Sequence, residues 1–219
     1  MTGQLNRSIL EHWTLLLFWP VYGLAFYLLE WVFPQSFYKP MHHPMDDLIP
    51  FCEWFVIPYV FWYLYMVGSV AYTFFRDKDA FRRMMCFYMI VFGVSTLVFF
   101  LYPTCQNFRP VSFPRDNALT RMMRLLYSMD TNTNVCPSLH VSGAIGAALG
   151  FVATKRFSTR GWKTINALTA GAICLSTVFV RQHSVIDVFW GLVLSWAGWR
   201  IAFCGSRFGC GNFLVALDH

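Results

Sequence analysis

What most constrains this chain is a succession of long apolar runs almost free of charge. Trp13 to Phe33, Trp54 to Phe75 and Met84 to Tyr102 are each close to the length of roughly 20 mainly apolar residues that crosses a bilayer core. Only Glu30, near one end of the first, is charged within them. Val135 to Thr154 follows with a single histidine, then Thr164 to Val180 without charge, then His183 to Cys204. In lipid every backbone polar group has to be satisfied inside its own element, so the expected fold class is all-α, a six-transmembrane-helix bundle. With 57% hydrophobic and 13% charged residues, a soluble domain of this length is excluded. No linker, low-complexity tract or repeat interrupts the pattern, and residues 1–219 read as a single integral-membrane domain.

Positive charge sets the expected orientation. Arg76, Lys78, Arg82 and Arg83 follow the second run, and Lys155, Arg156, Arg160 and Lys163 follow the fourth. Those loops are expected in the cytoplasm, which places both termini there as well. The first run is too long for a signal-peptide core and reads as retained. Loops after the first, third and fifth runs then face outward, and the expected location is the cell (plasma) membrane. The loop from Pro103 to Asn134 breaks the rule with Arg109, Arg115, Arg121 and Arg124, and phosphate binding would account for cations there. Within it Leu119, Met122, Met123 and Leu126 recur at helical spacing, predicting an amphipathic helix over about 117–128. Such a helix either lies in the interface, offering Arg115, Arg121 and Arg124 to anionic headgroups, or lids the bundle.

Several other readings fall away. The net charge of +6 comes from membrane-flanking residues without a basic stripe or reader motif, so no nucleic-acid partner is expected. Seven cysteines show no metal-ligand spacing, although Cys105 and Cys136 fall at the same face and could pair. His42, His43, Asp46 and Asp47 resemble a metal cluster only superficially; adjacent residues do not converge on one ion, and the nearby prolines suggest an irregular turn. No metal and no cofactor is expected.

Ionisable and polar groups at the edges of apolar runs are costly and usually functional. Three sets stand out: Arg109-Pro110, then Pro137-Ser138-Leu139-His140, then Arg181-Gln182-His183 with Asp187. All three fall at the outward face of the expected bundle. Pro137 suits the first turn of a helix, leaving the N–H groups of Ser138, Leu139 and His140 open to a phosphate oxygen. His183 and Asp187, four apart, share one helix face, so the carboxylate can fix the imidazole tautomer and leave the other nitrogen as nucleophile. A nucleophile, an acid for the leaving group and positive charge around the oxygens are what phosphoryl transfer requires.

At these residues the chain resembles the type 2 phosphatidic acid phosphatase superfamily, whose motifs read K-x6-R-P, P-S-G-H and S-R-x5-H-x3-D. Arg109-Pro110 matches the end of the first, Pro137, Ser138 and His140 the second, and Ser176, His183 and Asp187 the third. The resemblance implies that His183 attacks phosphorus, Asp187 supports it, His140 protonates the departing alkoxide, and Arg109 with Ser138 holds the phosphate. Tyr102, Leu139 and Thr177 depart from the pattern and remove two cations, for which Arg181, with Arg115 or Arg124, is the replacement expected. The segments Asp47-Leu-Ile-Pro-Phe and Phe55-Val-Ile-Pro-Tyr look more like the inositol-phosphotransferase and phosphosphingolipid-synthase branch. The function implied is metal-independent hydrolysis of a membrane lipid phosphate through a phosphohistidine. The alternatives are transfer of a phospho-headgroup to a lipid or polyol hydroxyl, and a non-catalytic scaffold or lipid transporter.

Overall fold

The computed structural model describes residues 12–204. The first apolar run enters through a 3-10 stretch, Trp13–Leu17, and continues as α1, Phe18–Val32. A short strand β1, Lys39–Pro40, leads to a five-residue helix α2, Pro44–Leu48. Then come α3, Val56–Arg76, and α4, Lys78–Leu101. Strand β2, Thr104–Cys105, pairs in parallel with β1, and α5, Ala118–Met129, is the amphipathic helix expected from its spacing. The chain closes with α6, Leu139–Ala153, α7, Arg160–Phe179, and α8, Val185–Cys204.

Local chemistry sets these boundaries. Asp77 ends α3 and starts α4, accepting the N–H of Ala80 at 3.0 Å, so Arg82 and Arg83 lie on the helix rather than in the loop expected for them. Asn117 and Thr120 form a reciprocal capping box at the start of α5. His43, Pro44 and Asp46 do the same for α2, which corrects the irregular turn expected there. Among the described residues four helical segments are long and apolar enough to cross a membrane: Trp13–Val32, Glu53–Arg76, Lys78–Leu101 and Val185–Cys204. The fourth expected run yields only the 15 residues of α6, because its opening is extended and tied to β2. The N–H groups of Val135 and Cys136 both donate to the Thr104 hydroxyl, at 3.2 and 3.1 Å. The expected cytoplasmic termini, and Cys210, lie outside the described residues. Cys105 and Cys136 are both free and buried, so the pairing considered for them is not made.

α6 is the hub, in contact with α3, α4, α7 and α8. A bilayer supplies little hydrophobic force between helices, so close approach depends on small side chains. A Cβ on Gly143 would sit 2.6 Å from the indole nitrogen of Trp62, and one on Gly146 would run into the ring of Tyr88. The core around this seam is aromatic and sulfur-rich: Trp62, Phe81, Met84, Phe87, Tyr88 and Phe92. α1 stays peripheral and turns Val21, Leu24, Tyr27 and Trp31 outward, as a lipid-facing helix would.

Candidate active site

The polar motifs meet at one end of this bundle, around the starts of α6 and α8. Between α7 and α8 the chain turns through Arg181, whose φ of 56° is left-handed. The turn closes because the Thr177 carbonyl accepts the N–H groups of both Gln182 and His183, each at 3.0 Å. Ser184 then caps α8: its hydroxyl accepts from Ile186 N–H, and its own N–H donates to Asp187 Oδ2 at 2.9 Å. His183 therefore precedes the helix instead of sharing its face with Asp187, because Ser184 is the better cap. The folded-back turn still brings His183 Nδ1 to 3.4 Å from the fully buried carboxylate of Asp187.

A second carboxylate pins this turn from outside. Asp46 of α2, 2% exposed, accepts the Ser184 hydroxyl at 2.6 Å and the Val185 N–H at 2.9 Å. Arg181 locks the same contact by donating to the carbonyls of Asp46 and Ile49, at 2.9 and 2.5 Å.

Ser138 is the N-cap of α6, so Pro137 precedes the helix instead of standing in its first turn. Its hydroxyl accepts from Val141 N–H at 3.4 Å, and its own N–H donates to the Asp187 carbonyl at 3.0 Å. That bond ties the second motif to the third and leaves the N–H groups of Leu139 and His140 at the open helix start. His140 projects against α3, its ring centroid 4.2 Å from those of both Tyr59 and Trp62. The His140 and His183 rings meet edge to face at 5.7 Å, each residue 7% exposed.

A cavity of about 240 Å³ opens on the two histidines. One wall is apolar, including Trp19, Tyr22, Phe26 and Phe92, while Asp130, Asn134 and Gln182 join the histidines at the polar end. No lysine or arginine lines it among the described residues.

The expected phosphate cations are placed elsewhere. Arg109 donates to the carbonyls of Tyr127, Asp130 and Thr131, at 3.3, 2.9 and 2.8 Å, closing the C-terminal end of α5. Burial pulls its guanidinium below the usual arginine range, an effect that the Asp130 carboxylate opposes. It lines a neighbouring cavity with Glu30, Tyr38 and Asp130, and meets the histidines' cavity only across the shared wall of Asp130, Thr131 and Thr133. Arg181 is the strut already described. Arg121 and Arg124 pair with Asp116 at 3.6 and 3.2 Å, and Arg115 with Glu53 at 3.3 Å; all three side chains stay largely exposed. Tyr102, which replaces a lysine of the motif, carries the Lys39 ammonium on its ring at 4.1 Å.

Sequence reasoning missed Asp46, Tyr59, Trp62 and Gln182 as parts of this site. Asp130 was visible as one of few acids near the motifs, and Asp46 and Tyr59 lie in or beside the Ile-Pro segments that carry the branch resemblance. A family model described as the PAP2 superfamily matches residues 81–208, a stretch that holds all three motif groups. No significant match to a curated protein or to a solved structure was found.

Proposed function

Because this chain belongs to the PAP2 superfamily, whose members carry phosphatase or phosphotransferase chemistry, we propose that it hydrolyses a membrane lipid phosphate through a phosphohistidine. The observation that carries this reading is the buried pair: His183 beside Asp187 at 3.4 Å and edge to face with His140 at 5.7 Å. With its proton on Nδ1, the nitrogen 3.4 Å from Asp187, the His183 Nε2 lone pair is free to attack. As the N–P bond forms, the ester P–O bond breaks and its electron pair goes to the alkoxide. His140, entering protonated, gives that oxygen its proton. Water then attacks phosphorus, the P–N bond breaks, His140 takes the water's proton, and inorganic phosphate leaves. The N–H groups at the start of α6 and the Gln182 side chain supply donors for the phosphoryl oxygens. This route asks for no metal ion.

In this reading α6 and α7 complete six spans, both termini are cytoplasmic, and the site opens at the outer face of the plasma membrane. Ser138 acts by capping the anion-binding helix start, Arg109 and Arg181 by holding the loops around the phosphate, and Arg115, Arg121 and Arg124 by meeting anionic headgroups. The apolar wall of Trp19, Tyr22, Phe26 and Phe92 favours a second reading, transfer to a lipid hydroxyl in a site poor in water. Purified protein given dioctanoyl phosphatidic acid separates the two. Phosphate release without added alcohol supports hydrolysis, while turnover only with a lipid alcohol or polyol supports transfer. No phosphoryl loss from any lipid phosphate, with or without an acceptor, contradicts both and favours a non-catalytic role.

A further inference from the structure

Each histidine of the pair is supported by a carboxylate, but only one of the two contacts is direct. His183 lies beside Asp187, whereas Tyr59 stands between His140 and Asp130. The Tyr59 hydroxyl donates to Asp130 Oδ2 at 2.7 Å, and the same oxygen lies 3.5 Å from His140 Nδ1. A phenol has one proton to donate, and here its hydrogen bond goes to Asp130. The Tyr59 oxygen therefore faces His140 as an acceptor, which selects the tautomer with hydrogen on Nδ1. His140 Nε2 is buried and has no partner, so the nitrogen left over is the one available to a reacting group. Gln182 donates to the same Asp130 oxygen at 2.9 Å and fixes the carboxylate. Tyr59 is wholly buried in the first turn of α3, and Trp62, three residues on, packs against the same imidazole.

We propose that Tyr59 and Asp130 are positioning residues for His140, a relay that does through a phenol what Asp187 does directly for His183. The inference rests on His140 as general acid. In the protonated imidazolium, Nδ1–H points to the Tyr59 oxygen and the phenol proton points to Asp130, so the ring's positive charge is stabilised by a carboxylate it never touches. When Nε2–H passes to the leaving alkoxide, His140 becomes neutral and keeps Nδ1–H. Tyr59 and Asp130 neither gain nor lose a proton.

A purely packing role for Tyr59 would ignore the leaving group, and that separates the two possibilities. An alkoxide needs a proton as it departs, whereas 4-nitrophenolate leaves without one. Purified wild type, Tyr59→Phe, Asp130→Asn and His140→Ala would each be assayed with dioctanoyl phosphatidic acid and with 4-nitrophenyl phosphate. Tyr59→Phe and Asp130→Asn are expected to lower kcat/KM, which stops at P–O cleavage and leaves out the water step common to both esters, by about 10- to 100-fold on the alkyl ester and by less than about 3-fold on the aryl ester, the pattern of a weakened general acid. Equal losses on both esters, or no loss on either, overturn the relay. If His140→Ala shows no such leaving-group dependence while wild type turns over both esters, the general-acid reading itself fails and the relay with it. If wild type releases phosphate from neither ester, the proposed hydrolysis fails.

Discussion

His183 and His140 stand in different surroundings, and their substitutions should fail differently. His183→Ala removes the atom that would bond to phosphorus, so turnover of a lipid phosphate in detergent should vanish. His140→Ala should leave a residual rate lower by on the order of 100-fold, the contribution expected of a general acid. Wild-type-like phosphate release by either variant would contradict these roles. Arg181 presents the opposite case, a cation that the motif comparison assigned to phosphate and the structure commits to two carbonyls. Arg181→Ala should lower the melting temperature by an amount matching about 1–3 kcal/mol, the cost of stranding two partly buried acceptors. An unchanged melting temperature with weakened inhibition by inorganic phosphate would return Arg181 to the phosphate site. A sequence motif fixes which side chains are present, but not which acceptor a long guanidinium reaches; for Arg109 and Arg181 the loop carbonyls lie within reach.

The helices were legible where a periodic pattern or a cap is written locally. Asn117 to Thr120 starts α5 where its stripe begins, and the glycines of α6 mark its packing faces. The start of α6 was read too early, because the bonds that keep Val135 and Cys136 extended come from Thr104, some 30 residues away. Asp46 was legible as an acid but not as a cap, since it caps a helix 139 positions further along the chain. Removing that cap by Asp46→Ala should cost about 1–2 kcal/mol in thermal unfolding and also reduce turnover, because α8 carries Asp187 and its first turn positions His183. Loss of stability without any loss of turnover would show that the cap does not align the site. Gly146→Leu should destabilise by about 1–3 kcal/mol or more by forcing Tyr88 and Phe87 away from α6, measured as a lowered melting temperature.

Taken whole, the molecule puts the basic turns after α3 and α6 at one end and its histidines, with the arginine-bearing loop around α5, at the other, and this polarity predicts the topology. Val111 is fully exposed in the loop before α5, and Lys155 lies at the opposite end, after α6. In a background without reactive cysteines, a cysteine placed at Val111 should react with an impermeant maleimide on intact cells, and one at Lys155 only after permeabilisation. The reverse pattern would turn the bundle over and put the site in the cytoplasm. Activity should also survive EDTA, since the proposed route assigns the nucleophile and both proton transfers to histidine side chains. Loss of activity restored by a divalent cation would contradict that chemistry.

The proposed phosphohistidine is open to direct trapping. Protein mixed with a lipid phosphate carrying radioactive phosphorus, then quenched in alkaline detergent, should retain a label that is stable to base and lost in acid. The label should be present in wild type and missing from His183→Ala. Turnover with no trapped label under any quench, or a label that persists in His183→Ala, would contradict attack by His183.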